Sequence, residues 1–287
     1  MKIFFSVSGK NQIGGGFSFA RNLWKSLKSQ CFLTDNINDE FDIALIIGPT
    51  TISRDDVKKI KARNIPIVLR CDNIPEDYRN RGTAISRLKD YSKMADVVIY
   101  QSKWARDYVK SLTGVGGAVI YNGVDKDIFN TEGRIGNKNI LYVRSSTNEN
   151  KRWQEAKYWF REMWLEDNSW HFYILGNFAD YIKLFSDDFI NSYRLGLFDE
   201  PHTYLGQMKT AEEMATVFKE SSILLAPYYN DACSNTILEA RACGLKIETC
   251  HGGMSGGTPE LLELHDDLIG IDRMGREYIG VFKLTLQ

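Results

Sequence analysis

Residues 222–250, SILLAPYYNDACSNTILEARACGLKIETC, read in order as strand, loop, helix and strand. Residues 222–228 are a short apolar run that ends in a polar loop carrying Asp231. Ser234, Asn235 and Thr236 open a helix, because Ser and Asn side chains accept hydrogen bonds from the free N–H groups of a first turn. Glu239 sits one turn inside that helix, and residues 245–250 form the next strand. A strand–helix–strand succession of this kind builds a parallel sheet covered on both faces. Ligands of such sheets collect outside the carboxyl ends of the strands. A helix N-terminus there attracts phosphate by ~0.3–1 kcal/mol per charge. Carboxylates such as Asp231 and Glu239 accept hydrogen bonds from sugar or ribose hydroxyls. The residue chemistry thus points to a phosphate-bearing ligand with hydroxyls. A capped helix whose acids merely face solvent stands beside it as the alternative.

The same rhythm extends outward. Residues 2–8, 42–48, 65–71, 96–102 and 117–123 read as strands, separated by helical patterns at 17–29, 55–63, 84–94 and 103–112. Residues 122–138 are polar and turn-rich, with Gly123, Gly133 and Gly136, and make the best linker. Beyond it, strands at 139–145, 170–176, 204–206, 222–228 and 245–250 alternate with helices at 151–165, near 180–192, and at 210–219, 234–243 and 258–264. The expected architecture is α/β, with two Rossmann-like doubly wound domains at residues 1–128 and 129–287. In the helix at 151–165, Trp153, Phe160 and Trp164 share one face and read as a core stripe, with Trp159 off it.

Composition agrees with this reading and excludes other classes. The chain has 287 residues, 43% of them hydrophobic and 25% charged, which is long enough for two cores. The apolar start, MKIFFSVSGK, is short and broken by Ser6, Ser8 and Lys10, so it is not read as a secretory signal. No apolar run is long enough to span a bilayer, so a cytoplasmic protein, at most peripheral to a membrane surface, is expected. Five cysteines lack CxxC spacing and read as reduced thiols rather than a disulfide frame or a zinc site; no metal and no cofactor are expected. Net charge is −1, yet residues 1–130 carry 20 Lys/Arg against 14 Asp/Glu and residues 131–287 carry 16 against 23. The opposite signs suggest two units with different partners.

With these pieces in place, the Asp231–Glu239 stretch resembles the donor-binding signature of the retaining glycosyltransferases of family 4, the group 1 type with the GT-B fold. That signature is Glu-x7-Glu running into LEAxAxG. Residues 238–244, LEARACG, match its second part, while the first acid is Asp231, a shorter arm. The glycines Gly14, Gly15 and Gly16 follow the first strand, as in the family. ADVVIYQSKWARDYV and VIYNGVDKDIFN resemble the segments that end its first domain. ILYVRSSTNENKRW resembles the start of its second domain, and GGTPELL the loop and helix after the donor strand.

The resemblance implies two Rossmann-like domains facing each other across a cleft. It implies transfer of a sugar from a nucleotide-diphospho-sugar to an acceptor hydroxyl, with retention of anomeric configuration and no required metal. Glu239 would accept from ribose and Asp231 from the transferred sugar. Arg144, Lys151, Arg152 and the N–H groups of Ser234, Asn235 and Thr236 would stabilise the diphosphate, with the backbone of Gly14–Gly16 close to it. Many family members place a His in the acceptor domain. Here the histidines are His171, His202, His251 and His265, and the matching region reads VLRCDN, which puts Arg70 and Asp72 on the acceptor side. Front-face attack, with the leaving phosphate taking the acceptor proton, fits that absence. The chain is shorter than the family norm, so the long C-terminal helix that returns to the first domain is expected to be missing or abbreviated.

The acceptor is left open. Arg79, Arg81, Arg87, Lys89, Lys93, Trp104 and Arg106 could form a basic surface for a polyanion, whether nucleic acid, lipid or glycan, or simply solvated helix faces. Rival readings are a catalytically inactive nucleotide-sugar binding protein, a GT-B sugar epimerase, and a Rossmann dehydrogenase. The epimerase sits poorly with a first domain free of histidine. The dehydrogenase lacks its GxGxxG after the first strand.

Overall fold

Eleven short strands among the described residues, most of them rich in Val, Ile, Leu and Phe, make the two sheets of this protein. A computed structural model describes residues 1–9, 14–72, 74–76, 81–144, 149–176, 200–250 and 254–287, apart from the side chains of Arg144 and Glu149. The chain divides into two units. The first comprises residues 1–124, 232–235 and 256–287; the second comprises 125–231 and 236–255.

The first unit holds six parallel strands: β1 (Lys2–Phe5), β2 (Phe32–Thr34), β3 (Ile43–Ile46), β4 (Ile67–Cys71), β5 (Val97–Tyr100) and β6 (Ala118–Val119). Their order is β2-β1-β3-β4-β5-β6, so the winding reverses between β1 and β3. Strands β3 and β4 are buried along their whole length, as strands covered on both faces must be. The helices are α1 (Gly15–Leu27), α2 (Arg54–Ala62), α3 (Arg81–Met94) and α4 (Lys103–Thr113). Ser53 and Ser102 cap α2 and α4 by accepting from the N–H groups of Asp56 and Ala105, and Gly114 ends α4 in the left-handed region at φ 75°.

The second unit holds β7 (Asn139–Arg144), β8 (His171–Gly176), β9 (His202–Gly206), β10 (Ile223–Ala226) and β11 (Lys246–Thr249) in the order β11-β10-β7-β8-β9, all parallel. Its winding reverses between β7 and β10. Helices α5 (Trp153–Glu166), α6 (Ala211–Glu220) and α7 (Asn235–Ala242) belong to this part of the chain. The aromatic stripe of α5 packs as its spacing predicts: Trp153 and Phe160 are buried and stack on Phe172 of β8 at centroid distances of 5.9 and 4.4 Å. The helix expected near residues 180–192 lies outside the described residues.

Two expectations need correction. Residues 129–287 do not all join the second unit, because residues 256–287 count with the first. Of the two outcomes expected for the C-terminal helix, missing or abbreviated, the first does not hold. After α8 (Thr258–Glu263), α9 runs over Ile271–Thr285. Ile271, Met274, Tyr278 and Phe282 recur at helical spacing, and this stripe packs into the first unit's core with Ile3, Phe5, Phe19, Leu23 and Leu27. The rings of Phe19 and Tyr278 lie 5.7 Å apart.

Candidate functional site

The reversal of winding between β7 and β10 leaves an opening at their carboxyl ends, the place where doubly wound sheets accept ligands. Lys151 follows β7 and Asp231 follows β10, so strand order brings together two residues far apart in sequence. A 3-10 turn, Glu149–Lys151, precedes Arg152, which caps α5 in the left-handed region at φ 51°. The Tyr142 hydroxyl donates to the Lys151 carbonyl at 3.0 Å and holds that turn. The loop after β10 is pinned from two sides. The N–H of Tyr229 donates to the Asn150 carbonyl at 2.7 Å, and that of Asn230 to the Met254 carbonyl at 2.9 Å. Asn230 takes φ 49°, a conformation Asn tolerates better than most residues.

These supports place Lys151 Nζ 2.8 Å from Asp231 Oδ2 and 3.8 Å from the centre of the Tyr228 ring. The two charged side chains are only 16% and 13% exposed. A pair so sheltered is screened less than a surface ion pair, and a cation over an aromatic face adds about 0.5–2 kcal/mol. Tyr228 is fully buried, and its hydroxyl donates to the Val143 carbonyl at 2.9 Å. Burial raises this phenol well above its ordinary pKa, reinforced by Tyr142 and by the charges of Asp231 and Glu239. Tyr228 therefore stays neutral and serves as the floor beneath the Lys151 ammonium. No feature of the sequence singled it out beyond its place at the end of an apolar run.

The other residues read from the sequence are placed as follows. Glu239 lies half-buried on α7, with Thr236 near the start of that helix. Arg152 forms an ion pair with Glu155 and also approaches the Cys250 thiol, so its guanidinium is already engaged. Arg144 is the last residue of β7, paired with Gly176; its side chain is outside the described part. Ser234 and Asn235 count with the first unit, and Ser234 is buried.

In the first unit, Gly14, Gly15 and Gly16 lie where β1 gives way to α1, beside the reversal of winding between β1 and β3. Gly14 has φ 136° and caps α1 without a side-chain hydrogen bond. The Asp72 carboxylate approaches this turn and the neighbouring Gly48: a Cβ on Gly48 would lie 2.2 Å from Asp72 Oδ1, and one on Gly16 would lie 3.3 Å from Oδ2. Arg70, expected near an acceptor, is 2% exposed. Its guanidinium carbon sits 3.7 Å from the centre of the Phe19 ring, and Nη1 is 3.9 Å from Asp72 Oδ2. Arg70 Nη2 donates to Asn122 Oδ1 at 3.2 Å. The Asn122 amide in turn donates to Asn235 Oδ1 at 2.8 Å, and Asn235 Nδ2 donates to the Gly15 carbonyl at 3.0 Å.

Glu260 of the GGTPELL segment has a structural role that its sequence did not announce. Its carboxylate accepts from the N–H groups of Lys103 and Trp104 at 2.8 and 2.7 Å and from the Tyr121 hydroxyl at 2.7 Å. Histidines stand elsewhere. His171 and His202 open β8 and β9, at the edge of the sheet opposite Asp231, and His265 pairs with Asp267 at 2.6 Å. His251 and Arg79 lie outside the described residues. On α3, Arg87, Lys89 and Lys93 are exposed and Arg81 is half-buried.

Two parallel, doubly wound sheets of these strand orders, joined in one chain, are the fold of the GT-B glycosyltransferases. No sequence-family model matches the chain, and no curated protein matches it in sequence. Likeness in structure spans the whole chain. The crystal structure of Anabaena Alr3699/HepE in complex with UDP and glucose is similar over 99% of this chain and 100% of that one, at a TM-score of 0.74 and 12% identity. The sucrose-phosphate synthase of Thermosynechococcus elongatus is similar over 99% and 96%, at 0.64 and 12%. The apo form of the lipopolysaccharide outer core galactosyltransferase WaaB is similar over 99% and 100%, at 0.59 and 16%. Among the described residues, no helix is long and apolar enough to cross a membrane.

Proposed function

We propose that this protein transfers a sugar from a nucleotide-diphospho-sugar to an acceptor hydroxyl with retention of anomeric configuration. The observation that carries the reading is the sheltered Lys151–Asp231 pair at the winding reversal of the second unit, over Tyr228 and on the same unit as Glu239. The likeness to a structure in complex with UDP and glucose supports it. Glu239 accepts from ribose hydroxyls and Asp231 from those of the sugar. Lys151, with Arg144, Arg152 and the N–H groups at the start of α7, takes up the charge that develops on the departing diphosphate. Cationic side chains can do this in place of a metal. The leaving phosphate receives the acceptor proton, so no protein base is needed. The exposed basic residues of α3 suit a polyanionic acceptor.

One observation favours the reading of an inactive nucleotide-sugar binder: Lys151 and Asp231 satisfy each other. A thermal-shift panel of nucleotide-sugars, followed by product analysis by NMR, separates the two. A ligand at ~100 times its dissociation constant stabilises by ~2.7 kcal/mol. Stabilisation with a transferred sugar of retained configuration is the expected result. Binding without turnover supports the inactive reading, inverted product overturns retention, and no stabilisation by any nucleotide-sugar overturns both readings.

A further inference from the structure

The chain of side chains that ends on Gly15 has a direction that chemistry alone fixes. Arg70 can only donate, so Asn122 must present its Oδ1 to it and turn its NH₂ the other way. That NH₂ finds Asn235 Oδ1 at 2.8 Å, with the Cys233 carbonyl and Gln101 Oε1 at 3.1 and 3.3 Å. The Asn235 NH₂ is thereby aimed at the Gly15 carbonyl, which can only accept. A donor-only group at one end and an acceptor-only group at the other leave both amides a single orientation.

We infer that Asn122 and Asn235, oriented by Arg70, are positioning residues that set the direction of the Gly15–Gly16 peptide. A peptide unit is planar and trans, so fixing the Gly15 carbonyl toward Asn235 points the Gly16 N–H the opposite way. That N–H belongs to the first turn of α1, where it has no partner within the helix; the Asp72 carboxylate stands beside this turn, 3.3 Å from where a Cβ on Gly16 would lie. A glycine on either side of this peptide lets another backbone or a ligand approach; a Cβ on Gly15 would meet nothing within 4 Å. The inference rests on the nucleotide-diphospho-sugar reading for its consequence, since the oriented N–H is the group offered to a diphosphate. Asn235 is thus assigned to the turn: its Oδ1 accepts from Asn122 and its NH₂ donates to the Gly15 carbonyl.

The isosteric change Asn235→Asp keeps the acceptor for Asn122 and removes the donor to Gly15, replacing attraction by repulsion between two oxygens. Asn122→Asp reverses the chain from its middle. The full-length protein, labelled with ¹⁵N-glycine, reports the Gly16 amide directly, and thermal unfolding shows whether each variant folds. Expected are a displaced Gly16 resonance in both variants and affinity for a nucleoside diphosphate lowered about tenfold. Affinity for the unphosphorylated nucleoside should be unchanged, a split that a general loss of structure would not produce. An unmoved Gly16 resonance overturns the inference. So does equal weakening toward nucleoside and diphosphate. If Asn122→Asp does not fold, Asn235→Asp, at a half-buried position, carries the test alone. Wild-type protein that binds no nucleotide overturns the proposed function, while the Gly16 resonance still decides whether the amide chain orients the turn.

Discussion

The Lys151 ammonium meets the Asp231 carboxylate and the face of Tyr228, and on the proposed reading a diphosphate is a further claimant on it. On that reading, donor binding is a competition in which phosphate oxygens draw the ammonium away from Asp231. The first prediction follows at this scale. Asp231→Asn removes the competing carboxylate, so a nucleoside diphosphate should bind several-fold tighter, about 1 kcal/mol by calorimetry. Sugar transfer should fall by about a hundredfold or more, because the sugar hydroxyls exchange a charged carboxylate for a weaker, neutral amide acceptor. Weaker diphosphate binding by this variant would show that the pair does not restrain Lys151. This pair was only half legible in the sequence. Residue type and place at a helix start marked Asp231 and Glu239, and the family resemblance alone marked Lys151. Their meeting depends on β7 and β10 being neighbours, a fact of strand order that no local pattern contains. Arg70 shows the converse: in a strand covered on both faces, its neighbours Leu69 and Cys71 give no sign of whether an arginine reaches solvent or the core.

Helices in the first unit are held by side chains from distant segments. Glu260 caps α4 from outside, with two backbone N–H groups and one hydroxyl converging on one carboxylate. Glu260→Ala should lower stability by about 1–2 kcal/mol and Tm by a few degrees in thermal unfolding, the usual cost of losing a cap. An unchanged Tm would mean that water replaces the carboxylate at no cost. Where α9 crosses α1, Gly275 lies against Ser26: a Cβ there would sit 2.0 Å from the Ser26 hydroxyl oxygen. Gly275→Val should destabilise by about 1–3 kcal/mol through overpacking, measured by denaturant titration. The strand–loop–helix run around Asp231 was readable because an apolar run, good N-caps and a terminal glycine agree on it. Helix α9 was not, because its stripe of Ile271, Met274, Tyr278 and Phe282 is spaced among charged residues, and its partners stand at the far end of the sequence.

Across the molecule, several acids are buried in their neutral forms. Burial pushes the Cys243 thiol up to about 11 from its ordinary 9.0, and raises Cys71, Tyr100, Tyr228 and Tyr278 as well. The unfolded chain releases these protons first, so it binds fewer of them than the folded protein above pH 9. The stability they lend is complete below pH 9 and is lost as pH rises toward 11. Thermal unfolding across that range should show a falling Tm, with a shallower fall in Cys243→Ala; an equal slope would remove Cys243 from the account. The return of residues 256–287 to the first unit has a consequence in time. A ribosome makes about 5–20 residues per second. The faces of Phe19, Leu23 and Leu27 thus wait on the order of ten seconds after residue 124 for Met274, Tyr278 and Phe282 to emerge, while every residue of the second unit has already been made. The unit synthesised first is the one whose core closes last, and during that interval its newly made sheet depends on other means of staying out of contact with neighbouring nascent chains.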